Sequence, residues 1–285
     1  MAKLKAYCFL MRLHRPMPIL LLLWPTYWSL WTASGGYPGR KILIIFTLGV
    51  VIVRTLGCII NDLSDRKYDS QVKRTEKRPL TTGEVKPNEA WILFIILGLI
   101  AFLLVLFLNI ETIFMSFGAL ALTIFYPLCK RFFSLPQLIL GMTFNYGILM
   151  ASTAILKTIT LEAFLLYLAS IIWTLAYDTI YALADKPYDI KLKLKSSAVT
   201  FGRYDIVMII LLQQLSILVL CLFGFISHFS WIFYLGLIVC EVLFFFQYRL
   251  YKKRDIANVI KAFSDNHWVG FVIFFVIVLQ FSYTL

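Results

Sequence analysis

Two short stretches carry side chains whose types and spacing suit a hard cation. Residues 61–69 read NDLSDRKYD, with Asp62, Asp65 and Asp69 at i, i+3 and i+7. At about 100° per residue they fall within roughly 60° of one helix face, and Asn61 widens that face only slightly. Residues 177–189 read YDTIYALADKPYD, with Asp178, Asp185 and Asp189 at i, i+7 and i+11, within roughly 40° of one face on an unbroken helix. Pro187 argues against that continuity, because it removes a backbone donor and disfavours helix at Lys186. Gathered carboxylates repel one another unless cations bind them, and oxygen donors of this kind suit Mg²⁺, which commonly bridges a phosphate chain. Each cluster alone also fits a solvated acidic helix end. Their place at matching ends of two apolar runs, in a chain with 15 acidic residues, favours a shared metal and phosphate site.

Cations surround both stretches. Arg66, Lys67, Lys73, Arg74 and Arg78 follow the first, and Lys191, Lys193 and Lys195 the second. Any of them suits an anionic head group, and most lysines among them equally suit a loop resting on anionic lipid. Arg54 lies two turns before Asn61 inside an apolar run, which makes it a functional candidate or the partner of an aspartate. Tyr126 and Lys130 at i, i+4 close a later apolar run beside Arg131; they fit a substrate contact or an aromatic belt with a snorkelling cation. His14 has no second His or Cys close in sequence to make a metal site and reads as an interfacial side chain.

The elements that position these groups are membrane helices. The 285-residue chain is 61% hydrophobic and 15% charged, with a mean hydropathy of +0.84, more apolar material than a water-facing surface can hide. Its apolar runs, about 17 to 22 residues long, fit tilted helices better than alternating barrel strands. The expected fold is all-α: one domain over residues 1–285, an integral membrane bundle of about nine transmembrane helices with a cytoplasmic-side active-site cap. The spans fall near 17–34, 42–60, 91–108, 112–128, 137–156, 162–182, 205–226, 231–248 and 266–284. Residues 1–16 read as a short interfacial segment with Arg12, His14 and Arg15 at the membrane surface, and the first span as a retained helix rather than a cleaved signal.

Of the 27 Lys and Arg, only Arg40, Lys41 and Lys157 fall in outer connections, so the N-terminus and both aspartate stretches face the cytoplasm. The net charge of +12 marks those inner loops and not a nucleic-acid surface. The five cysteines are scattered without CxxC spacing, which argues against a disulfide framework and a zinc site. No obligate protein partner is evident.

NDLSDRKYD resembles the NDxxDxxxD signature of the UbiA superfamily of intramembrane prenyltransferases, and DTIYALADKPYD resembles its second signature, DxxYAxxDxxxD. RLHRPMPILLLLWPTYWSLW, VKRTEKRPLTTGEV, YPLCKRFFSLPQLILGMTFNYGILMA and IKLKLKSSAVTFGR are more similar to the 4-hydroxybenzoate polyprenyltransferase branch than to the haem O synthase or chlorophyll synthase branches. The likeness is dense over about residues 10–205 and rests on hydropathy alone for the last three helices.

This resemblance implies a nine-helix bundle with a lateral opening to lipid, in a bacterial inner membrane. It implies transfer of a polyprenyl chain from polyprenyl diphosphate to the ring of 4-hydroxybenzoate, in ubiquinone biosynthesis. Carried over by position, Asn61, Asp62, Asp65 and Asp69 belong to a first Mg²⁺ site, and Asp185 and Asp189, with Asp178 beside them, to a second. The catalytic set is then Arg54, Asp62, Asp65, Asp185, Lys130 and Arg131, and the substrate contacts are Arg54, Arg66, Tyr126, Lys130, Arg131 and Tyr181. The chemistry agrees: ionising an allylic diphosphate needs charge stabilisation on the leaving group and a dry chamber for the cation. Two rival functions remain, a prenyltransferase for a different aromatic acceptor and an ion-coupled secondary transporter. The transporter predicts acids near the bilayer midplane among broken helices, whereas these acids sit at helix ends.

Overall fold

The computed structural model describes residues 2–14, 16–72 and 75–282; Arg15, Lys73 and Arg74 lie outside the described residues, as does the Lys130 side chain. All regular structure among the described residues is helical. The N-terminal segment is a helix, α1 (Ala2–Leu10), whose Ala6 and Leu10 join Leu56, Ile59, Leu80 and Val85 in a buried cluster. Lys3 Nζ fastens it by reaching Glu89 and the carbonyl of Glu84, each at 2.8 Å.

Next come α2 (Met17–Ser34), α3 (Arg40–Asp69), the single turn α4 (Pro79–Thr82), α5 (Pro87–Val105) and α6 (Ile110–Phe125). A 3-10 turn, Tyr126–Arg131, leads from α6 towards α7 (Pro136–Phe144) and α8 (Tyr146–Leu156). These two helices divide one expected span at Asn145, whose Nδ2 donates to the carbonyls of Gly141 (2.8 Å) and Ser170 (3.1 Å) and to Thr174 Oγ1 (2.7 Å). A break inside a membrane is tolerated where side chains satisfy the released carbonyls in this way. The rest is α9 (Leu161–Lys191), the single turn α10 (Ser197–Thr200), α11 (Asp205–Ile226), α12 (Trp231–Tyr251), α13 (Ile256–Ser264) and α14 (Asn266–Ser282).

Eight helices among the described residues are long and apolar enough to cross a membrane: α3, α5, α6, α7 with α8, α9, α11, α12, and α13 with α14. The expected first span coincides with α2, but its Trp, Tyr, Pro, Thr and Ser residues dilute its apolarity and it is not among the eight. Its neighbours α3, α8, α9 and α14 enclose it, so protein rather than lipid meets those polar groups. The α14 contact is close: Trp28 Nε1 donates to Gly270 O at 2.9 Å. A Cβ on Gly270 would lie 2.7 Å from Trp24, so only glycine fits without displacement.

The axis of the bundle is α9, in which 78% of the apolar window is buried, against 11% in the peripheral α5. Around it Trp28, Trp173, Phe223, Phe233 and Ile273 form the main core. The expected interruption at Pro187 does not occur, and α9 runs on to Lys191. The proline removes one donor about a turn from the helix end, where few hydrogen bonds are left to lose. Lys186 is meanwhile held from outside the helix, at 2.6 Å from both Gly202 O and Asp205 Oδ2. Both aspartate stretches thus belong to long continuous helices.

Candidate active site

The C-terminal half of α3 carries Arg54, Asn61, Asp62, Asp65 and Asp69. Asp62 is 1% exposed, and Arg12 Nη2 lies 2.8 Å from both of its carboxylate oxygens. Arg78 Nη1 reaches Asp62 Oδ1 at 3.0 Å and Asp69 Oδ2 at 2.8 Å. The loop after α3 brings Arg78 back because Thr75 Oγ1 donates to Asp69 O at 2.9 Å and Arg78 then begins α4 in an extended conformation. Two guanidinium groups therefore neutralise two largely buried carboxylates, a charge-assisted arrangement stronger than neutral hydrogen bonds.

Arg54, 7% exposed, sends Nη1 to the carbonyl of Met11 at 3.1 Å and, more weakly, to that of Arg12 at 3.5 Å. It thereby supports the turn that presents Arg12, itself in the left-handed region at φ 57 with Nη1 bonded to Phe9 O. Within the segment expected at the membrane surface, Arg12 turns inward because α1 docks on α3 and α4 and aims it at Asp62.

Tyr126 hydroxyl donates to Asn61 Oδ1 at 3.1 Å, and Arg131 Nη2 to Ser64 O at 2.9 Å. The same connection touches the segment after the second acidic stretch. Lys195 Nζ donates to Phe132 O at 2.7 Å, Thr200 Oγ1 to Ser134 O at 2.5 Å, and the Ser197 N–H to Gln137 Oε1 at 2.8 Å. Residues 126–137 thus bind both acidic segments to one mouth of the bundle. Asp65, Asp178, Asp185 and Asp189 are half-buried, Arg66 and Arg131 are exposed, and half-buried Tyr181 packs its ring 4.8 Å from Phe263.

Asn61 and the three aspartates of α3 offer only oxygen donors, the set a hard divalent ion prefers. Among the described residues no three His, Cys, Asp or Glu side chains converge to hold one, since Asp62 and Asp69 turn to arginine. A divalent ion bound here would share these carboxylates with Arg12 and Arg78 or take their place.

Next to the mouth lies an apolar cleft with about 700 Å³ of empty space, between α2, α3, α5, α6 and the α7–α8 pair. Phe46, Gly49, Val53, Leu104, Thr123 and Met150 are among its walls. Along α3 the cleft's walls reach Val53, which directly precedes Arg54, and along α6 they reach Thr123, three residues before Tyr126.

Sequence reasoning passed over two groups. Arg12 was hidden among the basic residues that orient a membrane protein. Asp205, fully buried and bonded to Lys186 and Arg254, resembled an ordinary acidic helix start.

Fold and site define a multi-pass helical membrane protein whose acidic and basic residues gather at one mouth beside an apolar cleft. The chain belongs to the UbiA prenyltransferase family, whose model matches residues 22–276. It is 54% identical over 279 residues, 98% of both chains, to a 4-hydroxybenzoate octaprenyltransferase of Francisella tularensis subsp. novicida (strain U112). Over 97% of its length and 94% of the relative's it is 48% identical to the 4-hydroxybenzoate octaprenyltransferase of Pseudoalteromonas translucida (strain TAC 125). Its fold is shared with the apo UbiA homologue of Aeropyrum pernix K1 (TM-score 0.80, 23% identity, 93% of this chain and 98% of that one). It is shared as well with a UbiA homologue of Archaeoglobus fulgidus bound to GPP and Mg²⁺ (TM-score 0.68, 16% identity, 96% and 99%).

Proposed function

We propose that this chain transfers a polyprenyl group from polyprenyl diphosphate to the ring of 4-hydroxybenzoate, as a step towards ubiquinone, in a bacterial inner membrane with its acidic mouth at the cytoplasm. The observation that carries this reading is the 54% identity, over 98% of both chains, to a 4-hydroxybenzoate octaprenyltransferase. Membership of a prenyltransferase family sets the transporter aside.

The donor's diphosphate binds at the mouth and its hydrocarbon chain lies in the cleft beginning at Val53 and Thr123. Asn61, Asp62, Asp65 and Asp69 would hold Mg²⁺ in a first site, and Asp185 and Asp189, beside Asp178, in a second. An ion held there would supply neutralisation of charge on the departing diphosphate. Arg12 and Arg78, already aimed at Asp62, supply fixed cations to the phosphate oxygens. Heterolysis of the allylic C–O bond sends its electron pair to the diphosphate and leaves an allylic cation. The apolar walls exclude water, and the ring carbon beside the acceptor's hydroxyl attacks the cation and then loses its proton.

Buried Arg54, next to the cleft wall, is the cation assigned to the benzoate carboxylate; exposed Arg131 instead supports α3 through Ser64 O. Arg54→Lys should raise the KM for the aromatic acid more than that for the diphosphate, because an ammonium cannot reproduce a bidentate contact. The test of the acceptor is an assay of isolated membranes with labelled polyprenyl diphosphate and a panel of aromatics. Labelled 4-hydroxybenzoate is the expected product; prenylation of another aromatic with 4-hydroxybenzoate untouched overturns the acceptor and leaves the prenyltransferase standing.

A further inference from the structure

Asp205, the first residue of α11, is 0% exposed and joins three parts of the fold. Its Oδ2 accepts from Lys186 Nζ at 2.6 Å and from Arg254 Nη1 at 2.9 Å, and its Oδ1 from Arg254 Nη2 and the Ile206 N–H, both at 2.7 Å. Lys186 is committed on a second side, to Gly202 O at 2.6 Å. Arg254, in the turn between α12 and α13, is held at φ 55, a conformation non-glycine residues seldom adopt. None of these three side chains has a part in the reaction described above.

Lys186 stands between Asp185 and Asp189, immediately before the proline that deprives α9 of a backbone hydrogen bond. At about 100° per residue its side chain leaves the helix on a flank roughly 80° from Asp178. A tether on that flank fixes the rotation of the helix end. Buried ion pairs are often no more stabilising than apolar groups of the same shape, so a fixed direction is the distinctive thing this one supplies.

We propose that Asp205 is a positioning residue for the second acidic site: through Lys186 it sets the rotation of the last turns of α9 and keeps Asp185 and Asp189 on the face they share with Asp178. Arg254 balances the second oxygen and anchors Asp205 to the α12–α13 turn. The inference rests on the function proposed above, in which these aspartates hold a divalent ion.

The test measures Mn²⁺ binding by electron paramagnetic resonance, with inorganic diphosphate present, on the full-length protein in nanodiscs. Asp205→Asn and Lys186→Met should each weaken Mn²⁺ binding and raise the Mg²⁺ needed for half-maximal turnover by about 10- to 100-fold, with the KM for the aromatic acid changed less than about twofold. Asp205→Glu, which keeps the charge, should recover part of the loss. Lys186→Met leaves Asp205 paired with Arg254, so it carries the test if Asp205→Asn does not fold. Asp185→Asn serves as the reference. If it weakens Mn²⁺ binding while folded Asp205→Asn and Lys186→Met bind as the parent does and lose only melting temperature, the positioning role is overturned and the function stands. If Asp185→Asn also leaves Mn²⁺ binding unchanged, the second acidic site falls, and the inference with it.

Discussion

Arg12 and Asp62, 50 residues apart in sequence, meet at the acidic mouth with Arg12 Nη2 at 2.8 Å from both carboxylate oxygens. The contact joins the N-terminal segment to the acidic face of α3, and Arg78 adds a second guanidinium at 3.0 Å from Asp62 Oδ1.

On the proposed function, a cation so placed is expected to serve the donor's diphosphate and not the aromatic acid. Arg12→Ala should lower kcat/KM for the diphosphate by about 10- to 100-fold, the loss expected for a charged hydrogen bond of roughly 1.5–3 kcal/mol. The KM for 4-hydroxybenzoate should stay near that of the parent. Steady-state kinetics with each substrate varied in turn decides the matter, and an equal rise in both KM values would place Arg12 elsewhere.

Filling the cleft should select against long donors. Gly49 lines it, and a Cβ built there meets nothing within 4 Å. Gly49→Phe projects a ring into that space, so the KM for a long polyprenyl diphosphate should rise by about tenfold or more, as for an ill-fitting hydrophobic pocket. Geranyl diphosphate should be used as before. Equal use of both donors by the variant would show that the chain runs by another route.

The sequence showed the acids better than their partners. Asp62, Asp65 and Asp69 repeat on a helical period, a local signal that needs no tertiary structure to be seen. The partners of Asp205 lie 19 and 49 residues away, and nothing in the local pattern marks such a pairing. Arg12 obeys the positive-inside rule whether or not it touches an aspartate, so its charge alone said nothing about its role. Pro187 misled in the other direction, since its local penalty is set against tertiary contacts made by Lys186. The break at Asn145 was invisible because the apolar run continues through it, while its amide finds partners on α9.

Orientation has a direct check. In a cysteine-free background, a cysteine at exposed Ser70 should react with a membrane-impermeant thiol reagent only from the cytoplasmic side. One replacing Tyr37, 62% exposed, should react only from the other. Labelling with the opposite sidedness would invert the topology and place the acidic mouth outside.

The central claim is that the α3 carboxylates bring about cleavage of a prenyl diphosphate through a divalent ion. The measurement that tests it most directly is diphosphate release and ring prenylation, followed together in purified, reconstituted protein with Mg²⁺, 4-hydroxybenzoate and labelled polyprenyl diphosphate. The account predicts one diphosphate released per ring prenylated. It predicts no turnover with EDTA, and a loss of roughly 10³-fold or more in Asp62→Asn and in Asp65→Asn, both still inserted and folded. Turnover that survives EDTA, or variants at these two positions as active as the parent, would contradict it.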